Sequence, residues 1–177
     1  MFNYFYAILH SQSYRDRYAE FLKLGFPRVQ ITGDRVLFKK LTEVGEKLVG
    51  LHTLAQEGPE LVAFDVPGDN VVERVLYVPP KACRIGAPEK RSLPGGKMGR
   101  VYINAKQYFE GVTPAVWQFR IGGYQVCEKW LKDRKGRTLG ADDIEHYQRT
   151  VSALAETRTL MAQIDSLIAD HGGWPLS

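Results

Sequence analysis

Cysteine is scarce in this sequence of 177 residues. Cys83 and Cys127 lie far apart, with no Cys-x-x-Cys pair and no neighbouring pair of histidines. Because a zinc site takes about four ligands at characteristic spacings, these residues predict no metal site. We expect two reduced thiols, which is typical of proteins in the cytoplasm.

Long apolar runs are also absent. No stretch approaches the roughly 20 consecutive apolar residues that a membrane-spanning helix needs. Residues 1–10 are apolar, but they lack the basic region and the small-residue cleavage site of a signal peptide. With 44% hydrophobic and 25% charged residues, the chain has the composition of a globular domain. We therefore expect a cytoplasmic protein with no membrane partner.

The motifs of several enzyme classes are missing. Residues 94–99 are glycine-rich and contain Lys97, but Met98 stands where a phosphate-binding loop requires Ser or Thr. A methyltransferase would need a glycine-rich cofactor turn and an Asn/Asp-Pro-Pro-aromatic loop, and neither is present. The four histidines are scattered singly and form no ligand set. We therefore predict no catalytic residues and no cofactor of its own, and hence no enzyme in isolation.

Part of a nuclease motif occurs at residues 133–135. Asp133 and Lys135 match half of a metal-dependent nuclease site, which also needs an upstream carboxylate and a divalent ion. No Pro-Asp pair precedes them, and they lie among basic residues. A solvated turn is the simpler interpretation, and a cryptic nuclease is the alternative.

The positive charge of the chain is concentrated in residues 117–137. Six basic and two acidic residues give this segment a charge of +4, equal to the formal net charge of the whole chain. A local cationic surface predicts a polyanionic partner, with nucleic acid as the first candidate. The candidate phosphate-binding residues are Arg120, Lys129, Lys132, Arg134, Lys135 and Arg137.

The aromatic residues of this segment have a structural interpretation. The alternation of apolar and polar residues predicts a half-buried strand that contains Trp117, Phe119 and Ile121. The inner face of a following helix is predicted for Tyr124, Cys127, Trp130 and Leu131. We therefore expect both tryptophans to lie in the core rather than to stack on bases. Charge alone allows either DNA binding or an ordinary charged surface.

Periodicity predicts an α+β fold with N-terminal helices and a long C-terminal helix. Asp34 is a candidate N-cap for a helix with a stripe of apolar residues, namely Leu37, Leu41, Val44, Leu48 and Leu51. Residues 61–66 and 71–78 predict a hairpin, and 100–104 and 117–121 predict two more strands of a small, mainly antiparallel sheet. A long basic loop is expected at 79–99. The final helix should begin at Asp142 and run to about Asp170.

Longer motifs along the chain point to a known family. They comprise residues 6–11, 14–23, 26–28, 101–104, 107–112, 117–126 and 129–134. Together they resemble the C-terminal specificity domain of Type ISP restriction-modification enzymes. Those enzymes join a nuclease, a helicase-like motor, an adenine-N6 DNA methyltransferase and a target recognition domain in one polypeptide.

The resemblance implies sequence-specific recognition of duplex DNA, in the major groove, for defence against foreign DNA. The partners would be double-stranded DNA and the methyltransferase and motor domains of the same polypeptide. S-adenosylmethionine, ATP and Mg²⁺ are expected in the rest of a full-length enzyme and not in this domain. Residues 1–54 would form a helical connector toward the methyltransferase and residues 55–177 the target recognition domain, or the two would form one compact unit. The leucine stripe indicates packing on another helix or on a neighbouring domain, and the resemblance favours the neighbouring domain.

The segment from about 55 to 98 matches the family pattern least. Because recognition domains of this kind differ where they read bases, the loop at 79–99 is the expected place for sequence-specific contacts. The base-reading candidates are Lys81, Arg84, Lys90, Arg91 and Lys97. The alternative function is a non-catalytic assembly module that holds neighbouring domains and has little DNA affinity of its own.

Overall fold

The computed structural model describes residues 1–80 and 98–176. The chain divides into two compact units. The first comprises Met1–Glu57 together with Glu156–Ser177, and the second comprises Gly58–Ala155. The sequence-based boundary at 54/55 lies close to the first of these breaks. Residues 156–177 belong to the same unit as the N-terminal helices.

The first unit is helical. Its N-terminal elements are α1 (Phe2–His10), α2 (Gln12–Arg17), α3 (Ala19–Leu24) and α4 (Arg35–His52). Helix α7 (Ala141–Asp170) begins in the second unit and supplies its C-terminal part to the first. Its first turn carries Asp142 and Asp143, so the acidic start and the end near Asp170 are confirmed.

Helix α4 starts at the predicted cap. The Asp34 carboxylate accepts hydrogen bonds from the backbone N–H groups of Val36 and Leu37, at 2.8 and 3.2 Å. Helix α1 packs against α4, and a Cβ at Gly45 would overlap the carbonyl oxygen of Asn3. The two helices can therefore approach closely because position 45 has no side chain.

The apolar stripe of α4 is covered within this chain. Its members are all buried: Leu37, Leu41, Val44, Leu48 and Leu51. Of the two interpretations of this stripe, packing on another helix is therefore confirmed, and packing on a neighbouring domain was wrong. Burial of these side chains stabilises the fold of the chain itself, by about 1.5–3 kcal/mol for each fully buried residue.

The second unit contains two small antiparallel sheets. The first has three strands in the order β1 (Leu76–Val78), β2 (Gly99–Tyr102) and β3 (Tyr108–Val112). The second is a hairpin of β4 (Arg120–Ile121) and β5 (Tyr124–Gln125), flanked by α5 (Pro114–Trp117) and α6 (Val126–Lys132). The α+β prediction, with its small antiparallel sheet and long C-terminal helix, is confirmed.

The core of the second unit joins the sheet, α6 and α7. Its fully buried members include Val101, Ile103, Phe109, Leu131 and Tyr147. The Tyr147 hydroxyl donates to the carbonyl oxygen of Cys127 at 3.2 Å, which satisfies the polar group of this buried ring. Cys127 and Leu131 of α6 belong to this core, so the core fixes the position of α6 in the second unit.

The hairpin predicted between 61–66 and 71–78 does not form. Residues 61–66 contain an isolated bridge from Ala63 to Glu110, and β1 pairs with β2 instead. The Gln107 side chain accepts from the N–H of Asn70 at 2.8 Å and donates to the carbonyl of Val66 at 2.9 Å. At Val66 and Asn70 a side chain, rather than a partner strand, therefore satisfies the backbone.

The strand predicted at 117–121 is shorter than expected. Thr113 caps the one-turn helix α5 by accepting from the N–H of Val116 at 3.3 Å, and Pro114 occupies its first position. Proline is favoured there because its fixed φ suits a helix and its missing N–H is not needed. Residue 117 is therefore helical, and the strand is limited to Arg120–Ile121.

Candidate nucleic-acid interface

Two of the candidate phosphate-binding residues on α6 are paired with acidic side chains one turn away. The Lys129 ammonium lies 2.8 Å from the Asp133 carboxylate, and the Lys132 ammonium lies 3.0 Å from that of Glu128. The hydrogen bond that Lys129 donates to the Asp133 carboxylate raises the pKa of Lys129. Because exposed i,i+4 ion pairs are weak, both lysines can exchange these partners for phosphates.

Arg134 is held more firmly than the lysines. Its guanidinium carbon lies 3.5 Å from the ring centroid of Trp130. The same group donates to the Trp130 carbonyl at 3.2 Å and to the Asp143 carboxylate at 3.3 Å. Its side chain is 28% exposed. Arg134 therefore ties α6 to the start of α7, and this structural role limits its freedom to reach a phosphate.

Three of the candidate cations have no acidic partner among the described residues: Arg120, Lys135 and Arg137. All three are exposed. Two backbone hydrogen bonds to Val72 hold the turn that carries Lys135 and Arg137. The Gly136 N–H donates to the Val72 carbonyl at 2.8 Å, and the Val72 N–H donates to the Arg137 carbonyl at 3.0 Å. These cations are therefore presented on an ordered backbone.

Both tryptophans of the basic segment pack against the core. The Trp117 ring stacks on Tyr77, with centroids 5.0 Å apart and an interplanar angle of 11°. The Trp130 ring contacts Tyr147 and His146, at 5.3 and 5.6 Å. The prediction that the tryptophans are structural is confirmed. Tyr124 was placed wrongly, because it lies in β5 with 64% of its surface exposed.

The β4–β5 hairpin carries Tyr124 to the surface. Gly122 and Gly123 form its turn with φ values of +56° and +86°, the sign that a type I′ turn requires at both central positions. The Arg120 guanidinium donates to the Gly123 carbonyl at 3.0 Å. Ile121 and Tyr124 are direct cross-strand partners, so their side chains share one face of the hairpin.

A buried amide cluster, which sequence reasoning missed, holds the loop between β2 and β3. Asn104 accepts from the N–H of Gln107 at 2.7 Å, and its own amide donates to Gln107 at 3.0 Å. Gln107 also donates to Asn70 at 2.7 Å. Asn104 and Gln107 are 7% and 1% exposed. The signal in the sequence was the position of these two amides next to apolar residues, because an amide that is buried there needs hydrogen-bond partners.

The described residues give no support to catalysis or metal binding. Among residues 1–80 and 98–176, no group of three or more His, Cys, Asp or Glu residues is placed to hold a metal ion. Asp133, half of the nuclease motif, is bonded to Lys129. Burial raises the pKa of the Cys127 thiol to about 12, so this cysteine is a poor nucleophile. None of the helices that the structure describes is long and apolar enough to cross a membrane.

The five base-reading candidates lie outside the described residues: Lys81, Arg84, Lys90, Arg91 and Lys97. Their role remains a prediction from the family resemblance. The adjoining strand β2 is described, and its Arg100 forms an ion pair of 2.9 Å with Glu110 of β3. The Arg100 guanidinium also lies 4.4 Å from the ring centroid of Tyr108. The strand that follows the predicted base-reading loop is thus anchored in the sheet.

The first unit exposes a different kind of surface. Phe21, Leu24 and Phe26 are 72%, 87% and 97% exposed. They border an open cleft of about 680 Å³ whose inner wall includes Tyr14 and Tyr18. Large apolar side chains grouped in this way are typical of a surface that meets another protein or domain.

Family membership follows from the sequence profile of Type ISP C-terminal specificity domains, which matches residues 1–163. The chain belongs to this family. The resemblance noted from the sequence motifs is therefore confirmed. Among proteins with curated functions, none matches this specificity domain.

Solved structures show the same fold. A nuclease-deletion mutant of the Type ISP restriction-modification enzyme LlaGI, in complex with a DNA substrate mimic, matches 92% of the specificity domain with a TM-score of 0.62 and 19% identity. The ATP-dependent Type ISP enzyme LlaBIII, bound to DNA, matches 92% with a TM-score of 0.61 and 15% identity. A DrdV–DNA complex matches 96% with a TM-score of 0.56 and 20% identity.

These relatives are much longer than this chain. The chain spans 13% of the LlaGI chain, 11% of the LlaBIII chain and 17% of the DrdV chain. At these identities, the likeness shows a shared fold.

Proposed function

We propose that this chain recognises a specific sequence in duplex DNA as the specificity domain of a restriction-modification enzyme. The observation that carries the proposal is the match of residues 1–163 to the Type ISP C-terminal specificity domain family. The fold is shared with three enzymes whose structures contain DNA or a DNA mimic. Both findings support a DNA-recognition role.

The cationic residues of 117–137 differ in how readily they can bind phosphates. Arg120, Lys135 and Arg137 are exposed without acidic partners among the described residues, so they can contact phosphates at no loss of an ion pair. Lys129 and Lys132 must first leave weak pairs. Phosphate contacts position the domain on the duplex, whereas base contacts provide the specificity.

Specificity in this proposal comes from residues that reach base edges. The loop candidates Lys81, Arg84, Lys90, Arg91 and Lys97 remain the proposed readers of sequence. An arginine that forms a bidentate contact with guanine contributes about 1–3 kcal/mol of discrimination against the wrong base. Substitution of Arg84 or Arg91 should therefore change which duplex is preferred.

Catalysis belongs to other parts of the proposed enzyme. The chain would act with a methyltransferase and a helicase-like motor on the same polypeptide, and residues 1–54 would form the helical connector toward the methyltransferase. S-adenosylmethionine, ATP and Mg²⁺ would bind in those domains. The specificity domain would supply DNA recognition without catalysis.

A salt titration tests the proposal. Binding of the 177-residue chain should be measured against a random-sequence duplex and against the duplex that it enriches from a random pool. We expect log K to fall with log salt by about 0.9 for each phosphate contacted. The enriched duplex should bind at least about 1,000-fold more tightly than the random one. Binding without preference would exclude sequence recognition, and no binding at low salt would exclude DNA binding.

The assembly-module alternative is favoured by one observation. The exposed side chains of Phe21, Leu24 and Phe26 offer an apolar surface suited to another domain. If assembly were the whole function, the chain would show no salt-dependent DNA binding. Substitution of Phe21 and Phe26 by serine would then weaken association with a methyltransferase domain and leave the titration flat.

A further inference from the structure

The β4–β5 hairpin ends in an exposed apolar pair. Ile121 is 52% exposed and Tyr124 is 64% exposed. A Cβ built on Gly122 or Gly123 has no atom within 4 Å, so the turn projects into open space. Leaving two large apolar side chains in water forgoes hydrophobic free energy that a partner surface could recover.

We propose that this hairpin enters the major groove of duplex DNA and that Ile121 and Tyr124 contact base edges there. The inference rests on the proposed function and adds a second, described element to the recognition surface. The contact is apolar, so it differs in kind from the charged contacts of the same segment. A thymine methyl group is the base feature that such side chains suit.

The base of the hairpin is anchored, so its tip is held in a defined position. Phe119 before the hairpin and Val126 after it pack against the core of the second unit. The Gln125 amide donates to the carbonyl oxygen of Trp117 in α5. Across the turn, the Arg120 guanidinium is bonded to Gly123. A preorganised element loses little conformational entropy when it binds.

The charge around the tip favours a polyanion over a protein. Arg120 lies on the hairpin itself, and the Lys129 ammonium is 5.5 Å from the ring centroid of Tyr124. Helix α6 begins directly after β5, and its Lys129 and Lys132 form only weak, exposed pairs with Asp133 and Glu128, which they can exchange for phosphates. Apolar side chains flanked by cations match a DNA groove, where phosphates border the base edges.

The width of the hairpin selects the groove. Paired strands lie about 4.8 Å apart, and their side chains widen the element further. The major groove is about 12 Å wide and admits a two-stranded ribbon, whereas the minor groove is about 6 Å wide. The major groove is therefore the one that the hairpin fits.

The test compares two variants whose substitutions lie in exposed positions of the same segment. Ile121→Ala/Tyr124→Ala removes the apolar tip, and Lys135→Ala/Arg137→Ala removes two unpaired cations. Binding of each 177-residue chain is measured across salt concentrations, on the enriched duplex and on a scrambled one. Thermal unfolding of each variant checks the fold, which exposed side chains should leave unchanged.

The two variants should differ in the salt slope and in sequence preference. The hairpin variant should bind the enriched duplex about ten-fold more weakly, with an unchanged salt slope and a smaller preference over the scrambled duplex. The cation variant should lose up to about 1.8 from the slope and keep its preference. Tyr124→Phe, which retains the ring, should bind like the wild type.

Each contrary result has its own meaning. If the hairpin variant binds both duplexes like the wild type while the cation variant loses slope, the groove contact is wrong and the proposed function stands. A hairpin variant whose only change is a smaller salt slope would also overturn the inference. If the wild-type chain shows no salt-dependent binding, the proposed function fails and the inference fails with it.

Discussion

Tyr4 and Tyr14 of the first unit are buried, whereas the tyrosine of the β4–β5 hairpin is exposed. Tyr4 and Tyr14 are 0% and 1% exposed, and their hydroxyls donate to the carbonyls of Gln30 and Arg28 at 2.8 and 3.0 Å. Tyr124 is 64% exposed, with a lysine beside its ring. Tyr14 and Tyr124 both lie in motifs of the same family.

This difference separates two roles within the family motifs. In the first unit, Tyr4 and Tyr14 hold the segment after α3 to the helices, so the motif residue Tyr14 stabilises the fold. In the second unit, the amides of Asn104 and Gln107 serve the fold, while Arg120 and Tyr124 reach the surface. A motif residue therefore indicates binding only where the structure leaves it accessible.

The largest effect is expected in the first unit, from a substitution that disturbs the packing of α1 on α4. Gly45→Ala should lower the free energy of unfolding by about 3 kcal/mol, because a methyl group would overlap the backbone of Asn3. Chemical denaturation measures the change. Gly50→Ala on the same helix is the matched control, since its methyl group meets the side chain of Gln56, which can move.

The control should stay within about 1 kcal/mol of the wild type, because alanine favours the helix. Equal destabilisation by Gly45→Ala and Gly50→Ala would show that close helix contact is not the cause.

The amide cluster of the second unit should have the next largest effect. Gln107→Ala should lower the free energy of unfolding by about 2 kcal/mol, because it leaves Val66 O and Asn70 N without their hydrogen-bond partner. Lys106→Ala, at an exposed neighbouring position, should change stability by less than about 0.5 kcal/mol. A neutral Gln107→Ala would remove the structural role assigned to this motif residue.

The ion pair on α6 offers a smaller test on the binding side. Asp133→Asn removes the partner of Lys129, so DNA affinity should rise by about two- to five-fold at low salt. Asp170→Asn removes the same charge at the end of α7 and serves as the control. If both substitutions raise affinity equally, net charge and not the release of Lys129 is responsible.

The same residue tests the nuclease alternative. Wild-type protein with Mg²⁺ should leave duplex DNA uncut, since the Asp133 carboxylate is bonded to Lys129. Mg²⁺-dependent cleavage that disappears in Asp133→Ala would instead assign this aspartate a metal-binding role.

The smallest expected effect is a dependence of stability on pH in the first unit. Burial lowers the pKa of His10 and of His52 below the ordinary value of 6.5. The nearby charge of Arg15 also lowers the pKa of His10, against the raising effect of its bond to the Tyr6 carbonyl. His52 contacts the Tyr6 hydroxyl at 2.7 Å and the Thr157 hydroxyl at 2.9 Å.

The unfolded chain takes up protons on these histidines at a higher pH than the folded chain does. Their contribution to stability is therefore complete above about pH 6.5 and is lost as the pH falls through the folded pKa. The melting temperature should fall on acidification from pH 7.5 to 5.5. His52→Gln should reduce this fall, and His146→Gln, at an exposed position, should not. An unchanged slope in His52→Gln would exclude the linkage.

Local signals in the sequence were sufficient for several elements. Asp34 was predicted as the cap of α4 because its side chain needs only the first N–H groups of the same helix. The acidic start of α7 and the glycines that follow it likewise act within one turn. The pairing of Lys129 with Asp133 and of Lys132 with Glu128 also follows from their i,i+4 spacing.

Elements that depend on distant partners were predicted less well. Residues 61–66 have the composition of a strand, but the side chain of Gln107 supplies hydrogen bonds that a hairpin partner would have supplied. The pairing of Arg134 with Asp143 joins α6 to α7 across a turn. Neither contact leaves a periodic pattern in the sequence, because each depends on a tertiary approach.

The sequence by itself determined the N-terminal helices, the long C-terminal helix, the α+β class, the cationic segment and the family. Tertiary structure decided which tyrosines are buried, which cations lack a partner among the described residues, and that Ile121 and Tyr124 share an exposed face. The physical reason is the sequence separation over which each interaction acts. Caps, turns and i,i+4 pairs act over a few residues. Burial and accessibility depend instead on elements that meet only after the chain has folded.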